Sequence, residues 1–123
     1  LVGSEMCIRD SYYMLEVPGE NPESDEGSWR AIGYCGTMVV ADTADVQTIG
    51  VLPEYEGHGY GRAMLEQMHE RARELGAERI LLEVRADNPR AQRLYERNGY
   101  RAIHVRCGYY DDGTDAIIME CTF

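Results

Sequence analysis

A chain of 123 residues suits one domain with a modest core, and its 44% apolar content is ordinary for a globular protein. No apolar run approaches the ~20 residues of a membrane-crossing helix, and a net charge of −10 argues against general nucleic-acid binding; it suits a basic partner, or, more simply, a surface that keeps a small protein in solution. Cys7, Cys35, Cys107 and Cys121 show neither Cys-x-x-Cys pairing nor zinc spacing; with no secretory signal pattern they read as reduced thiols of a cytoplasmic protein, and no metal is implied.

In chain order, residues 12–17 read as a strand, and residues 18–28, acidic and rich in Pro, Gly and Ser, as a solvated loop. Residues 31–41 form the next strand. A turn over residues 42–45 leads back into a strand over 46–51, an antiparallel hairpin. Gly50 marks either a bulge or a close backbone approach, and Pro53 ends the strand because it has no N–H for a ladder.

The most informative stretch follows: Val51-Leu-Pro-Glu-Tyr-Glu-Gly-His-Gly-Tyr-Gly-Arg62. Gly57, Gly59 and Gly61 stand at every second residue, and Met64, Leu65, Met68, Ala72 and Leu75 then recur at helical spacing up to Gly76, a C-terminal stop. A strand, a glycine loop and a helix start together offer free backbone N–H groups and a positive dipole end to an anion, which points to a phosphate-bearing ligand. It is not a Walker loop, because Arg62-Ala63 stands where Lys-Ser/Thr is required, and it is not Gly-x-Gly-x-x-Gly. On the loop alone, a glycine-rich turn capping an amphipathic helix reads equally well.

Downstream, residues 79–85 are mostly apolar, as in a central strand. Asn88-Pro89 supplies the N-cap and first residue of a second helix, with Ala91, Leu94 and Tyr95 on one side and Asn98-Gly99 at its end. Residues 100–108 alternate, with Ile103, Val105 and Cys107 on one face, which predicts a half-buried strand. Asp111-Asp-Gly113 turns into a last strand over 116–123. The pattern predicts one mixed α/β domain without repeats.

The loop, read as Glu56-Gly-His-Gly59-Tyr-Gly61, resembles the pyrophosphate-binding loop of the GNAT acetyltransferases, Gln/Arg-x-x-Gly-x-Gly/Ala. Leu82-Glu-Val-Arg-Ala-Asp-Asn88 and Ala91-Gln-Arg-Leu-Tyr-Glu-Arg-Asn-Gly-Tyr100 are similar to that family's next strand and helix. The ending, Gly108-Tyr-Tyr-Asp-Asp-Gly-Thr-Asp-Ala-Ile-Ile-Met119, resembles the RimI branch, the ribosomal-protein-alanine N-acetyltransferases. The resemblance runs from about Tyr34 to the end. It implies a mostly antiparallel sheet with splayed central strands flanked by helices, here without the family's first strand and first two helices. Residues 1–11 instead resemble translated adapter sequence, so they are set aside as a non-native lead-in and the acetyltransferase domain is expected over 12–123.

The resemblance further implies transfer of an acetyl group from acetyl-CoA to an amine, with roles for particular residues. The amides of Gly57, His58, Gly59, Tyr60, Gly61 and Arg62 would hold the pyrophosphate; Ile49, Gly50 and Val51 the pantetheine arm and the thioester carbonyl; and Asn88, also a helix cap, the same arm. Glu83 would be the general base, its pKa raised by partial burial; the other readings are an outward-facing residue at the strand end or an ion pair with Arg85. Tyr95 would be the acid that protonates the thiolate, since a phenol of pKa ~10 keeps its proton at neutral pH; the other reading is a packing aromatic. Glu56 departs from the family, placing a carboxylate beside a pyrophosphate. A protein N-terminus, for example on a basic ribosomal protein, is the expected acceptor, with Tyr109 and Tyr110 lining its site. A lysine or small-molecule amine, or an acetyl-CoA-binding module with weak catalysis, are the alternatives.

Overall fold

Runs rich in β-branched and aromatic residues pair into one sheet, and two amphipathic segments pack on it as helices. The structure, a computed structural model, describes residues 8–18 and 29–123. The elements are β1 (Ile8–Pro18), β2 (Trp29–Val40), β3 (Thr43–Val51), a 3-10 turn (Pro53–Tyr55), α1 (Tyr60–Glu74), β4 (Arg79–Arg85), α2 (Pro89–Arg97), β5 (Arg101–Arg106) and β6 (Ala116–Thr122). The strands lie in the order β1-β2-β3-β4-β6-β5, and every pair is antiparallel except β3–β4. No helix among the described residues is long and apolar enough to cross a membrane.

β1 begins at Ile8, four residues ahead of the expected strand: Ile8 to Ser11 pair with Val40 to Thr37, and Ser11 accepts a hydrogen bond from Arg71 at 3.2 Å. The rest of the expected lead-in and the acidic loop lie outside the described residues. The β2–β3 turn is tighter than expected. It uses Ala41 and Asp42 alone, with Ala41 at φ 55, because the Asp42 carbonyl and carboxylate are held by Glu78 and Thr43. The bulge in β3 is not at Gly50. The register shifts where Gly36 faces Thr48 but Thr37 faces Val46, leaving Gln47 as the extra residue. One inserted residue reverses the alternation, so Ala44 and Val46 before it and Ile49 and Val51 after it all face the core. Gly50 is instead a close approach, because a Cβ there would collide with the Tyr34 ring.

Both helices cover one face of the sheet. Met64, Leu65, Met68 and Ala72 of α1 and Tyr95 of α2 pack on Cys35, Val39, Ile80, Leu82, Val84 and Met119. On the other face Tyr12, Met14 and Tyr34 are exposed. β5 is not half-buried as expected. All its side chains are exposed, because it is the edge strand and a register shift after Ala102 takes Ile103 out of alternation.

His69 is buried on the inner face of α1, with Nε2 2.7 Å from the Tyr100 hydroxyl and its ring edge-on to Phe123. Burial, helped by Arg73, lowers its pKa below the ordinary value of 6.5. The folded state therefore binds fewer protons than the unfolded chain below that value, and stability is lost as pH falls from about 6.5 toward the lowered pKa. Denaturant titration at pH 7.5 and 5.5 should show a loss of stability that is markedly smaller in His69→Phe.

Candidate active site

β3 and β4 are hydrogen-bonded over only three residue pairs, Thr43, Ala44 and Asp45 with Arg79, Ile80 and Leu81. Beyond them each strand stays with its outer neighbour, β3 with β2 and β4 with β6. The expected splay is present. A cleft of about 640 Å³ opens on the helix-covered face, walled by the end of β3 (Ile49, Gly50, Val51), the glycine turn, the start of α1 and the inner side of α2. A smaller apolar recess of about 320 Å³, bordered by exposed Met14 and Tyr34, shares Gly50 and Val51 with the cleft. The strand end thus borders both cavities.

The turn between β3 and α1 is built for access to its backbone. Gly57 (φ 80) and Gly59 (φ 87) are left-handed, a conformation that side-chain-bearing residues adopt at a cost. Gly59 is the N-cap of α1, and no side chain caps that helix. Among the described residues, the N–H groups of 57–62 donate to no turn, loop or cap acceptor. An uncapped helix N-terminus with its dipole behind it can hold an anion. Gly61 serves packing instead. A Cβ there would stand 3.0 Å from Leu94 Cδ2, so its absence lets α1 and α2 close together. His58 and Tyr60 do not wall the cleft. Asn88 walls it and caps α2, its Oδ1 accepting from the Ala91 N–H at 3.1 Å.

Tyr95 is buried and lies on the cleft wall, its ring edge-on to Tyr100 at 5.8 Å. Burial, and then Tyr110, raise its pKa, so the phenol holds its proton at neutral pH. It therefore both packs and presents a donor. Glu83 differs from expectation. It is exposed, pointing opposite to buried Leu82 and Val84, so the partial burial expected of it is not found. Of the alternative readings, the outward-facing residue is found and the ion pair with Arg85 is not, because Arg85 binds Asp87 and Asp112. Glu83 instead faces the tyrosines of the β5–β6 loop: hydrogen bonding to it and its charge raise the pKa of Tyr109, and burial and then Glu83 raise that of Tyr110. Tyr95 walls the cleft and Glu83 does not, so the two candidates stand apart.

Tyr55, Leu94, Arg90 and Arg97 also wall the cleft and were not foreseen. Arg90 and Arg97 are separated by seven positions, the two-turn repeat of a helix face, and that spacing on α2 is the signal that could have found them.

The profile of the Acetyltransferase (GNAT) family matches residues 11–100. The chain belongs to the GNAT acetyltransferase family. A Bacillus subtilis protein provisionally named a ribosomal protein bS18-alanine N-acetyltransferase is 38% identical over 117 residues, which are 93% of this chain and 78% of that one. The ribosomal protein bS18-alanine N-acetyltransferase of Escherichia coli K12 is 42% identical over 93 residues, 73% of this chain and 63% of that one. The crystal structure of the Escherichia coli ribosomal-protein-S18-alanine N-acetyltransferase superposes with a TM-score of 0.69 at 34% identity, covering 89% of this chain and 68% of the other. The chain thus spans roughly two thirds of these Escherichia coli relatives. The GNAT fold accounts for the mostly antiparallel sheet, the splay and the glycine turn before α1.

The β5–β6 loop of this GNAT chain is held by charge. Arg85 bonds Asp87, Asp112 and Thr114 and stacks on the Tyr110 ring at 4.7 Å, while Asp115 accepts from the Gly108 N–H at 2.8 Å. Hydrogen bonding to Arg85 lowers the Asp112 pKa to about 2, so this tether is complete above the ordinary carboxylate range and fails as pH falls toward 2. Asp112→Asn should speed amide exchange at Tyr110 and Gly113 while leaving α1 amides unchanged, as read by hydrogen-exchange mass spectrometry.

Proposed function

We propose that this chain transfers the acetyl group of acetyl-CoA to the N-terminal α-amino group of a protein, a basic ribosomal protein being the acceptor that suits its acidity, in the cytoplasm. The observation that carries the reading is the juxtaposition of an uncapped glycine turn and a proton-bearing Tyr95 on the walls of one cleft. The names of the bS18-alanine acetyltransferase relatives support the acceptor class.

In this reading the N–H groups of 57–62 hold the pyrophosphate, and the end of β3 with Asn88 lines the pantetheine arm. The acceptor amine comes from the open face, where Glu83 and Tyr109 stand. Glu83, directly or through one water, takes a proton from the ammonium; the neutral nitrogen attacks the thioester carbonyl carbon; the C–S bond breaks; and the Tyr95 O–H protonates the departing thiolate. Tyr95 regains its proton from solvent. An α-amine, with a reference pKa of ~7.7–8.0 against ~10.4 for lysine, asks little of an exposed carboxylate base. That favours an N-terminus over a lysine.

Incubation with acetyl-CoA and peptides beginning with Ala, or with a blocked N-terminus and an internal Lys, tests the reading by mass spectrometry. Acetylation confined to the free N-terminus is expected. Acetyl-CoA binding without acceptor-dependent CoA release would leave a binding module. Tyr95→Phe should slow turnover by ~10²–10⁴-fold with cosubstrate affinity nearly intact; unchanged turnover would return Tyr95 to packing alone. Glu83→Gln should lower the rate most at low pH, with the deficit shrinking as pH passes the acceptor's pKa. A pH-independent deficit would assign Glu83 to positioning.

A further inference from the structure

Glu56 is the one residue of the glycine turn whose charge opposes a phosphate, and the structure pairs it. Its Oε2 lies 3.0 Å from Nη1 of Arg90, which reaches back across the cleft mouth from the first turn of α2. The other terminal nitrogen of Arg90 lies over the turn itself: a Cβ at Gly57 would stand 3.4 Å from Nη2. Both side chains wall the cleft, and among the described residues neither has another ion-pair partner. Arg62, the arginine of the motif, is by contrast tied to Glu66 on its own helix at 3.0 Å.

Resting on the acetyl-CoA reading above, we propose that Arg90 is a ligand of the cosubstrate's pyrophosphate and that Glu56 is its resting counter-ion, so that binding moves Arg90 from carboxylate to phosphate. Three features carry this. The guanidinium already sits beside the loop whose N–H groups are free. A planar guanidinium pairs with phosphate in a two-pronged geometry that a lone carboxylate contact does not use. The resting pair is exposed on both sides, 62% and 40%, and exposed ion pairs are weak. The exchange therefore gives up little. Glu56 in this role keeps Arg90 aimed at the turn when the cleft is empty, and it weakens cosubstrate binding by competing for the same cation.

Calorimetric titration of four proteins at low ionic strength tests the proposal: the unaltered chain, Glu56→Gln, Arg90→Gln and the double variant, each against CoA, dephospho-CoA and pantetheine. Glu56→Gln should tighten CoA binding about two- to fivefold, the scale of an exposed charge pair. Arg90→Gln should weaken it about three- to tenfold, and should still do so when combined with Glu56→Gln, the scale of a charge-assisted hydrogen bond. Both effects should persist with dephospho-CoA, which keeps the pyrophosphate, and disappear with pantetheine. If Arg90→Gln is neutral once Glu56→Gln is in place, Arg90 only neutralises Glu56 and the proposal fails. If its effect is lost with dephospho-CoA, the 3′-phosphate is the partner and the pyrophosphate assignment fails. CoA binding that is equal across all four proteins overturns this inference alone; no CoA binding by any of them overturns the acetyl-CoA reading with it.

Discussion

The separation of β3 from β4 after three residue pairs is the constraint on which the site depends. Each strand keeps its outer partner: all seven residues of β4 pair with β6, and β3 pairs with β2 from Thr43 to Val51. The inner edges of both are left without a ladder, and exposed backbone N–H and C=O groups must find other partners. Some do within the chain. The Gln92 amide donates to the carbonyls of Arg85 and Ala86 at 3.2 Å each. The end of β3, from Ile49 to Val51, has the cleft beside it instead. The bulge at Gln47 matters here: it bends β3 and swings Ile49 and Val51 toward the helix side, where the cleft lies.

The two helices treat their N-termini in opposite ways. α2 starts with Asn88 as a side-chain cap and Pro89 where an N–H would have been wasted. α1 starts at a left-handed glycine and has no side-chain cap. Capping typically stabilises a helix by about 1 kcal/mol, and α1 forgoes it at the one place where the cleft meets the chain. Its stability comes from elsewhere, from Leu65, Met68 and Ala72 packed fully out of water against the sheet. Burial on that scale lets the first turn stay open.

Much of this was legible locally. Gly76, Asn88-Pro89 and Gly99 bracket their helices as read, since caps and stops act over a few residues, and the apolar run of β4 sits where expected. What failed depended on distant cover. Alternation in residues 101–106 shows which side chains share a face, but not whether anything lies over that face, and at β5 nothing described does. The apolar run around Glu83 suggested burial, but one face of this half of the sheet is open, so Glu83 is wet while its neighbours are dry. Gln47 carries no local mark of a bulge. Arg90 and Glu56 are 34 positions apart, and only the closing of α2 over the glycine turn brings them together.

Net charge also misleads until it is localised. A chain of charge −10 would repel an anion at long range, but charges farther apart than about 8 Å are largely screened at physiological salt. Within that distance of the cleft stand the free N–H groups of the turn and the guanidinium of Arg90. The opposite face differs. Asp45 and Glu83 both point there, and they are close enough that Glu83, after burial, raises the Asp45 pKa. The sheet thus sets these two carboxylates apart from the guanidinium of Arg90 and the free N–H groups at the cleft. A transfer between an anionic cosubstrate and a cationic amine calls for that division, and the splay is where the two sides meet, at the strand end that both cavities share.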